Sequence, residues 1–563
     1  MMKIQLSFKK PMFFLFFSVV SALNINTTLG PVFGTIEKGS NGDEVGVWRG
    51  IPFAADTSGE NRFKAPQPRK PWTDPLNATI NAAGCRQPHH NADVPCDGKE
   101  GPRCQSEDCL NVNVFCPTGT PPSEGYPTMF WIYGGAFDEG VNYGPLGLYD
   151  GTEIASRGKV CVVATNYRLG VLGYLVTSEQ KGNQGFLDQR MAMQWTRDNI
   201  KNFGGNPNMV TLWGESAGAM SVGLHMISPG SAGLFHRAIM ESNPAGFRYQ
   251  QHSHQHLTFA ASFFKYAGCK QDNMTCIRAV DVHKVVQAGE KAGGDFLTGF
   301  LERIIEGGYI EDAFAMEWSP VVDGKEIPGL PLDLFASGKF NKVPTLIGTN
   351  QDEGATFVYA GVDFWLPEFL FPYTMDGIFG DKGDKVVSFY QNAAKQGGWK
   401  DTRDSLSYVL TDFWFKCASE RIARAVAESG LDTYVYRFQH VLSFSSVFKE
   451  FGLPTVCENR TCHATELFFA FDQSGNFSFT KDEQAMSDDF ISYWTAFART
   501  GDVNSAGPAG KGTTFWPKFN ATDRLNLRMA VPRSVESTKT GQPGALPSNG
   551  VCDWFDNTIG YNH

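Results

Sequence analysis

The central third of the chain alternates short apolar, β-branched runs with longer segments whose apolar residues recur at helical spacing. In chain order the β-like runs are TMFWIYGG, KVCVVATNY and MVTLWG, and the helical segments are QRMAMQWTRDNIKNFGG and AGAMSVGLHMI. In the first helical segment Met191, Trp195 and Ile200 form a predicted core face, and Gly204 and Gly205 supply the stop. This alternation predicts an α/β fold with a large, mostly parallel central sheet flanked by helices.

The segment VTLWGESAG, from Val210 to Gly218, carries the strongest chemical signal. A β-like run ends there in Gly-x-Ser-x-Gly, and an Ala-rich helical run begins at once. A serine on so sharp a turn needs small neighbours, because side chains at Gly214 and Gly218 would collide with the adjoining strand and helix. We therefore predict that the Ser216 hydroxyl stands exposed as a nucleophile.

Backbone N–H groups suited to stabilise an oxyanion occur at two places in the chain. Ala217 follows the serine at the start of the next predicted helix, and Gly134-Gly135-Ala136 follows the run TMFWIY as a small-residue loop. Without Ser216 downstream, an ordinary strand-ending turn would explain that loop equally well. Together they predict oxyanion donors at Gly135, Ala136 and Ala217.

A serine nucleophile needs a histidine base, and the histidine needs a carboxylate that orients it. In α/β-hydrolase folds the order along the chain is Ser, acid, His, so the acid is sought after Ser216. The favoured acid is Glu353 in IGTNQDEGATF, where a β-like run ends in a polar turn, and Asp352 is its competitor.

Three histidines follow that acid. His463 is the predicted base because it lies beside Cys462 in CENRTCHATELFF, a loop that a disulfide to Cys457 could hold. His440 ends a strand-like run and is expected to be a satisfied structural histidine, and His563 is at the frayed terminus. If His463 is the base, hydrolysis is expected to fade as it protonates, near the ordinary histidine pKa of about 6.5.

Length and composition limit the remaining classes of protein. Of the 563 residues 42% are hydrophobic and 19% are charged, which is enough apolar material to bury a sizeable core. No heptad, solenoid repeat or low-complexity linker divides the chain, so residues 23–563 are predicted to form a single catalytic domain. A formal net charge of -10 would repel phosphate backbones, so no nucleic-acid partner is expected. The sequence indicates no particular oligomeric state.

Residues 1–22 have the pattern of a signal peptide: lysines at positions 3, 9 and 10, an apolar run over 11–20, and small residues at 21 and 22. The apolar run is about half of the ~20 residues that a spanning helix needs, so no membrane anchor is expected. Six Asn-x-Ser/Thr sequons agree with passage through the secretory route. They begin at Asn26, Asn77, Asn273, Asn459, Asn476 and Asn520. We expect a glycoprotein that is secreted or held in the lumen of a secretory vesicle.

The chain has twelve cysteines, which in a secreted protein favours disulfides. The short, polar, sequon-containing loops between Cys269 and Cys276, and between Cys457 and Cys462, are the safest predicted bridges. Cys116 and Cys161 lie instead in apolar strand-like runs, where we expect buried free thiols.

These motifs together resemble the type-B carboxylesterase and cholinesterase family, from about Pro31 to near the C-terminus. RGIPFA, SEDCLNVNVF, WIYGGAF, NYRLGVLGYL, GNQGFLDQRMAMQWTRDNIKNFGGNP, GESAG, DEG and CHATEL all occur in the family's order. The resemblance implies the same triad of Ser216, Glu353 and His463. It also implies that Glu215, Ser242 and Glu466 support the histidine and the water network around it.

The resemblance implies further structural pairs. A first disulfide would join Cys85 to Cys109, and a second would join Cys269 to Cys276. Ion pairs would join Arg49 to Glu107 and Arg168 to Asp188.

Two departures from the family pattern bear on substrate. Ala136 stands where cholinesterases have the third glycine of their oxyanion loop, so a methyl group is added and access for bulky alcohols is narrowed. Lys99 stands where the resemblance implies a tryptophan that binds a quaternary ammonium by cation–π contact. A cation there would repel choline, so general esterase activity is favoured over cholinesterase activity.

The expected function is hydrolysis of small carboxylic esters through an acyl-enzyme, with no metal or organic cofactor. The His252-Ser-His-Gln-His256 cluster suggests a metal site, but a solvated loop is preferred. The alternative function is a non-catalytic adhesion or structural secretory protein of the same fold. A lipase is a third possibility, in which DFWLPEFLFPYTM would line an acyl pocket, although we expect that stretch to pack.

Overall fold

The computed structural model describes residues 23–88, 104–247, 249–293, 316–362, 364–397, 401–444, 446–505, 514–538 and 550–560. The strands are β1 Leu23–Asn26, β2 Pro31–Lys38, β3 Glu44–Pro52, β4 Leu76–Asn77, β5 Gly84–Cys85, β6 Gln105–Ser106, β7 Asn111–Pro117, β8 Tyr126–Ile132, β9 Cys161–Thr165, β10 Gly205–Glu215, β11 Arg237–Glu241, β12 Thr345–Asn350, β13 Thr433–Phe438, β14 Leu525–Met529 and β15 Ser534–Ser537. The β5 and β6 strands form a small separate pair, and the others join in one large sheet.

Seven neighbouring strands of the large sheet run parallel, in the spatial order β9-β8-β10-β11-β12-β13-β14. Antiparallel strands extend both edges, with β1-β2-β3-β7 on one side and β15 on the other. Strand β8 is buried along its whole length, as expected for a parallel strand covered on both faces. The predicted α/β fold with a mostly parallel central sheet is confirmed.

The helices flank this sheet. They are α1 Thr152–Gly158, α2 Gly170–Tyr174, α3 Gln184–Asn199, α4 Ala217–Ile227, α5 His252–Gln255, α6 Ala261–Ala267, α7 Met274–Ala279, α8 Val282–Gly293, α9 Pro331–Ala336, α10 Glu353–Gly361, α11 Phe371–Phe379, α12 Gly383–Gly397, α13 Thr402–Leu410, α14 Cys417–Glu428, α15 Ser446–Glu450, α16 Leu467–Ala470, α17 Lys481–Thr500 and α18 Val551–Thr558. A π-helical turn, Thr411–Lys416, joins α13 to α14.

The central elements lie where the hydrophobic pattern places them. Helix α3 begins earlier than predicted and gives way to a 3₁₀ turn, Ile200–Phe203, which ends at Gly204 in the left-handed conformation with φ 93°. Of its predicted core face, Trp195 and Ile200 are buried and Met191 is half-buried. Strand β10 is longer than the run MVTLWG because a bulge lets Gly205 pair with Tyr126.

Five disulfides join described residues: Cys85–Cys109, Cys116–Cys161, Cys269–Cys276, Cys417–Cys552 and Cys457–Cys462. The prediction of free thiols at Cys116 and Cys161 is wrong. Their strands β7 and β9 are antiparallel neighbours in which Phe115 opposes Val162, so the two cysteines face each other with 4.3 Å between their Cα atoms. Strand β8 separates them along the chain, which hides this proximity from the sequence.

One of the two expected ion pairs is present. Arg168 donates to both carboxylate oxygens of Asp188 at 2.7 Å, and both side chains are buried.

The expected pair of Arg49 with Glu107 is wrong. Arg49 binds Glu37 and Asp150 at 2.5 and 3.0 Å, while Glu107 binds Arg62 at 2.6 Å. Arg62 is itself buried beside Glu107, so it occupies the place that the resemblance assigned to Arg49.

The expectations about targeting fall partly outside the described residues. The predicted signal peptide, residues 1–22, lies there entirely. All six sequon asparagines are exposed, so a glycan on any of them would meet no buried surface. In the part of the chain that the structure describes, no helix is long and apolar enough to cross a bilayer.

Candidate active site

Ser216 lies on a sharp turn between the end of β10 and the start of α4. Its backbone has φ 54° and ψ -123°, a conformation that residues other than glycine seldom adopt. A Cβ atom at Gly218 would lie 2.0 Å from the Ile132 carbonyl oxygen, and one at Gly214 would lie 2.6 Å from Gly218. The small residues therefore permit the turn, as the sequence predicts, and Ser216 is half-buried at its tip.

The loop after β8 lies directly against this turn. A Cβ atom at Gly134 would be 2.9 Å from the Cβ atom of Ser216, so only glycine permits that approach. Gly135 has φ 99° and Ala136 has φ 53°. Ala136 is exposed, while Ala217, on the other side of the serine, is buried at the first turn of α4.

His463 and Glu353 meet although 110 positions separate them in the chain. The His463 Nδ1–H donates to Glu353 Oε2 at 2.6 Å, and the other carboxylate oxygen accepts the Asn350 backbone N–H at 2.7 Å. Glu353 is fully buried and begins helix α10 at the carboxyl end of β12, the predicted strand tip. A carboxylate held from both sides in this way fixes the orientation of the imidazole through its Nδ1 atom.

On the other side of the imidazole, the Nε2 atom of His463 lies beside Glu215. Glu215 Oε1 lies 3.1 Å from Nε2, and Glu215 is the residue just before Ser216. Nε2 forms no hydrogen bond with a described residue, and this includes the Ser216 hydroxyl. In enzymes without substrate, the hydrogen bonds of catalytic groups are often long or not yet formed.

Glu466 and Ser242 lie behind the histidine, buried completely. The Ser242 hydroxyl donates to Glu466 Oε1 at 3.2 Å, and the Asn350 side-chain amide donates to Glu466 Oε2. Asn350 therefore contacts Glu353 through its backbone and Glu466 through its side chain. The resemblance assigns three residues to support the histidine, and all three belong to this cluster: Glu215, Ser242 and Glu466.

A fourth buried carboxylate, Glu241, was missed by the sequence analysis. Its Oε1 atom accepts the indole N–H groups of Trp213 at 2.6 Å and Trp494 at 2.5 Å, and its backbone carbonyl accepts the Ser216 N–H at 3.0 Å. Glu241 is the β11 neighbour of Glu215 in register. The only signal in the sequence is its place beside Ser242 in IMESN.

Two aromatic rings flank the imidazole and were also missed. The ring centroids of Phe357 and Phe415 lie 5.0 and 5.1 Å from that of His463. Phe357 belongs to α10 and Phe415 to the π-helical turn, so the two segments that carry them enclose the histidine. Such apolar walls hold the ring in place and keep the local dielectric low.

Burial and crowded carboxylates change the acidity of this cluster. Burial raises the pKa of Glu215 to about 8, and burial together with the charge of Glu353 raises the pKa of Glu466 to about 7. Burial disfavours the charged imidazolium, but the Glu215 and Glu353 carboxylates outweigh it and raise the pKa of His463 to about 9. If His463 acts as the base, its raised pKa means that the loss of activity is expected at a pH above 6.5.

The other candidates for the acid and the base, Asp352 and His440, form structural contacts instead. Asp352 accepts the Thr461 backbone N–H at 3.0 Å, and His440 Nε2 lies 3.3 Å from Glu483, a structural contact. Lys99 and His563 lie outside the described residues.

The segment from His252 to His256 is helical and not the expected loop. His256 Nε2 lies 3.0 Å from Asp272 Oδ2. Among the described residues no three His, Cys, Asp or Glu side chains are grouped as a metal site.

The aromatic stretch 363–375 packs only in part. Leu366, Phe371 and Met375 are buried, but four aromatic side chains are more than half exposed, which corrects the expectation of packing. These are Phe364, Trp365, Phe369 and Tyr373.

The parallel sheet, the serine turn and the buried histidine–carboxylate pair define an α/β-hydrolase. The chain belongs to the carboxylesterase family, whose model matches residues 21–543. It is 34% identical over 541 residues to the crystal protein of Dictyostelium discoideum, covering 95% of this chain and 90% of that protein. It is 32% identical over 544 residues to the para-nitrobenzyl esterase of Bacillus subtilis, covering 93% and 99%. A solved structure of a thermophilic PNB esterase matches with a TM-score of 0.74 at 30% identity, covering 92% of this chain and 98% of that one.

Proposed function

We propose that this protein is a secreted serine esterase that hydrolyses small carboxylic esters by a Ser216, Glu353, His463 mechanism. The observation that carries the proposal is the buried 2.6 Å bond between His463 and Glu353, set beside the strained serine turn. Membership of the carboxylesterase family supports ester hydrolysis. The relatives bear both enzyme names and names that state no activity, so the site residues must carry the finer assignment.

Acylation begins when His463 Nε2 takes the Ser216 proton and the serine oxygen attacks the ester carbonyl carbon. The carbonyl oxygen becomes an oxyanion that the N–H groups of Gly135, Ala136 and Ala217 stabilise. The intermediate then collapses: the bond to the alcohol oxygen breaks, and the protonated His463 gives its proton to the leaving alcohol. Glu353 stabilises the imidazolium during both steps.

Deacylation repeats these steps with water. His463 takes a proton from the water, whose oxygen attacks the acyl carbon, and the Ser216 oxygen leaves with the proton returned by His463. The products are the carboxylic acid and the free enzyme. Every proton is carried by the imidazole, so the cycle requires no metal or organic cofactor.

The test is covalent labelling of the purified protein with a fluorophosphonate, followed by peptide mapping. We expect the label on Ser216 and its complete loss in Ser216→Ala. The matched control is Ser221→Ala, which removes a hydroxyl one helical turn away that donates to the Ala217 carbonyl. The control should label and hydrolyse esters as the unmodified protein does.

Ester chain length separates the remaining functional classes. A preference for nitrophenyl acetate over nitrophenyl palmitate would support a small-ester hydrolase, whereas the reverse preference would indicate a lipase. A folded protein that takes no label and cleaves neither ester would refute the proposal and favour the adhesion or structural role.

Secretion and glycosylation are tested on protein expressed in a eukaryotic host. We expect a mature N-terminus near Leu23 in the medium and a gain in mobility after glycan removal. An intracellular protein that retains Met1 and does not shift would contradict this part of the proposal.

A further inference from the structure

His463 lies on a loop between a 3₁₀ turn, Thr455–Asn459, and helix α16, in neither a strand nor a helix. The regular hydrogen bonds of secondary structure therefore do not fix its backbone. A general base has to be held within roughly 0.5 Å of its productive position. The contacts that this loop makes with other segments are what can provide that precision.

These contacts come from the segment that carries Glu353. The Asn350 side-chain amide donates to the Cys462 carbonyl at 2.8 Å. The Asp352 backbone N–H donates to the Thr461 carbonyl at 2.9 Å, and the Asp352 carboxylate accepts the Thr461 N–H at 3.0 Å. The two residues before His463 are thus bound to the end of β12.

Thr356 makes the corresponding contact with His463 itself. Its hydroxyl oxygen accepts the His463 backbone N–H at 3.1 Å. Thr356 is half-buried and lies one turn after Glu353 on helix α10. Its hydroxyl oxygen also lies 4.0 Å from the Sγ atom of Cys457, whose disulfide to Cys462 closes the loop. One helix therefore fixes the imidazole through Glu353 and the backbone that carries it through Thr356.

The hydroxyl of Thr356 serves a different purpose from those of other helical threonines in the chain. Three of these donate to the carbonyl four residues earlier, which is the usual contact inside a helix; they are Thr196, Thr374 and Thr495. The Thr356 oxygen instead accepts a hydrogen bond from a residue 107 positions later. This bond joins two distant segments, so its loss would act on the loop and not on helix α10.

We propose that Thr356 is a positioning residue, whose hydroxyl oxygen sets the backbone of His463 and with it the place of the Nε2 atom relative to Ser216. The proposal rests on the esterase function proposed above. Without this oxygen the His463 N–H would lose its acceptor, and the backbone would shift to regain one. A displacement of about 1 Å in a reacting group can lower a rate by roughly 10²-fold.

The kinetic test compares Thr356→Val, which keeps the branched shape but removes the oxygen, with Thr356→Ser, which keeps the oxygen. In Thr356→Val we expect kcat for nitrophenyl acetate and the rate of fluorophosphonate labelling to fall about 10- to 100-fold. Because His463 serves both acylation and deacylation, KM should change by less than about threefold. Thr356→Ser should restore both rates to within about threefold of the unmodified protein. Thr196→Val is the matched control, since it removes a buried hydroxyl that donates within its own helix; it should not alter kcat.

A spectroscopic test reports on His463 without any reaction. The 2.6 Å bond from Nδ1–H to Glu353 should give a low-field proton resonance, because short bonds to a carboxylate deshield the proton. We expect this resonance to persist in Thr356→Ser and to shift or broaden in Thr356→Val. Thr356→Ala, which removes the oxygen and leaves no methyl group in its place, is compared if Thr356→Val does not fold.

The outcomes separate this proposal from the esterase assignment. An unmodified protein that neither labels nor hydrolyses esters would refute the proposed function, while the resonance would still test the contact between Thr356 and His463. A folded Thr356→Val with unchanged kcat and resonance would overturn the proposal. Equal impairment in Thr356→Ser and Thr356→Val would also overturn it, since the oxygen would then not be the group that matters. Absence of the resonance from the unmodified protein would contradict the bond to Glu353 and, with it, the positioning role.

Discussion

Replacing Glu353 by glutamine removes the charge beneath His463 with little change of shape. The carboxylate accepts the Nδ1–H at 2.6 Å and the Asn350 N–H at 2.7 Å, and it is fully buried. Glutamine has one acceptor oxygen, so its amide must oppose one of these two donors. Opposing Nδ1–H would force the other tautomer, in which Nε2 carries the proton and cannot act as a base.

The magnitude follows from the lost attraction between the carboxylate and the imidazolium of the transition state. With charge centres about 4 Å apart and an effective dielectric constant of about 20, that attraction is about 4 kcal/mol. This corresponds to a rate decrease of roughly 10³-fold. A tautomer change would extend the loss toward about 10⁴-fold. We therefore expect Glu353→Gln to lower kcat/KM for nitrophenyl acetate by about 10³- to 10⁴-fold.

Asp352→Asn is the matched control, because it removes the neighbouring carboxylate while an amide oxygen can still accept the Thr461 N–H. Its kcat/KM should stay within about tenfold of the unmodified value, since Asp352 does not contact the imidazole. Circular dichroism and melting temperature establish that both variants fold. A folded Glu353→Gln with near-normal activity, or an Asp352→Asn that is equally impaired, would refute the assignment of the acid.

Three other outcomes are expected. Glu215→Gln removes a charge that raises the pKa of His463, so the acidic limb of the kcat/KM profile should move to lower pH by about 1 to 2 units; an unmoved limb would mean that Glu215 is already neutral there. Glu483→Ala should lower the free energy of unfolding by about 2 to 4 kcal/mol in urea titrations, because its buried carboxylate accepts bonds from Thr480 and Ser443 at the start of α17. These bonds lower the pKa of Glu483 to about 2, so the stabilisation is fully present above the ordinary pKa of about 4.5 and is lost as pH falls toward 2. The exposed Asp482→Ala serves as the control. Equal losses of stability in the two variants would contradict the role of the buried hydrogen bonds. Alkylation of the denatured, unreduced protein should label neither Cys116 nor Cys161, whereas both should label after reduction; labelling before reduction would show that the strands do not carry this bridge.

The sequence alone determined the local features of the site. The turn at Ser216 follows from Gly214 and Gly218, because only small residues fit between the strand and the helix. The loop at Gly134 follows for the same reason. The alternation of strands and helices also follows locally, since it is a periodicity of neighbouring side chains.

What depends on distant parts of the chain was decided by the tertiary structure. Glu241 receives the indole N–H of Trp494 across 253 positions, and Cys116 faces Cys161 only because β7 and β9 are neighbours in the sheet. Glu107 pairs with Arg62 instead of the expected Arg49 for a similar reason. The pKa of His463 also belongs to this group, because it is set by carboxylates that the fold buries together. Local pattern specifies which elements form, but only their packing specifies which charges and sulfurs meet, because those distances come from sheet order and not from spacing along the chain.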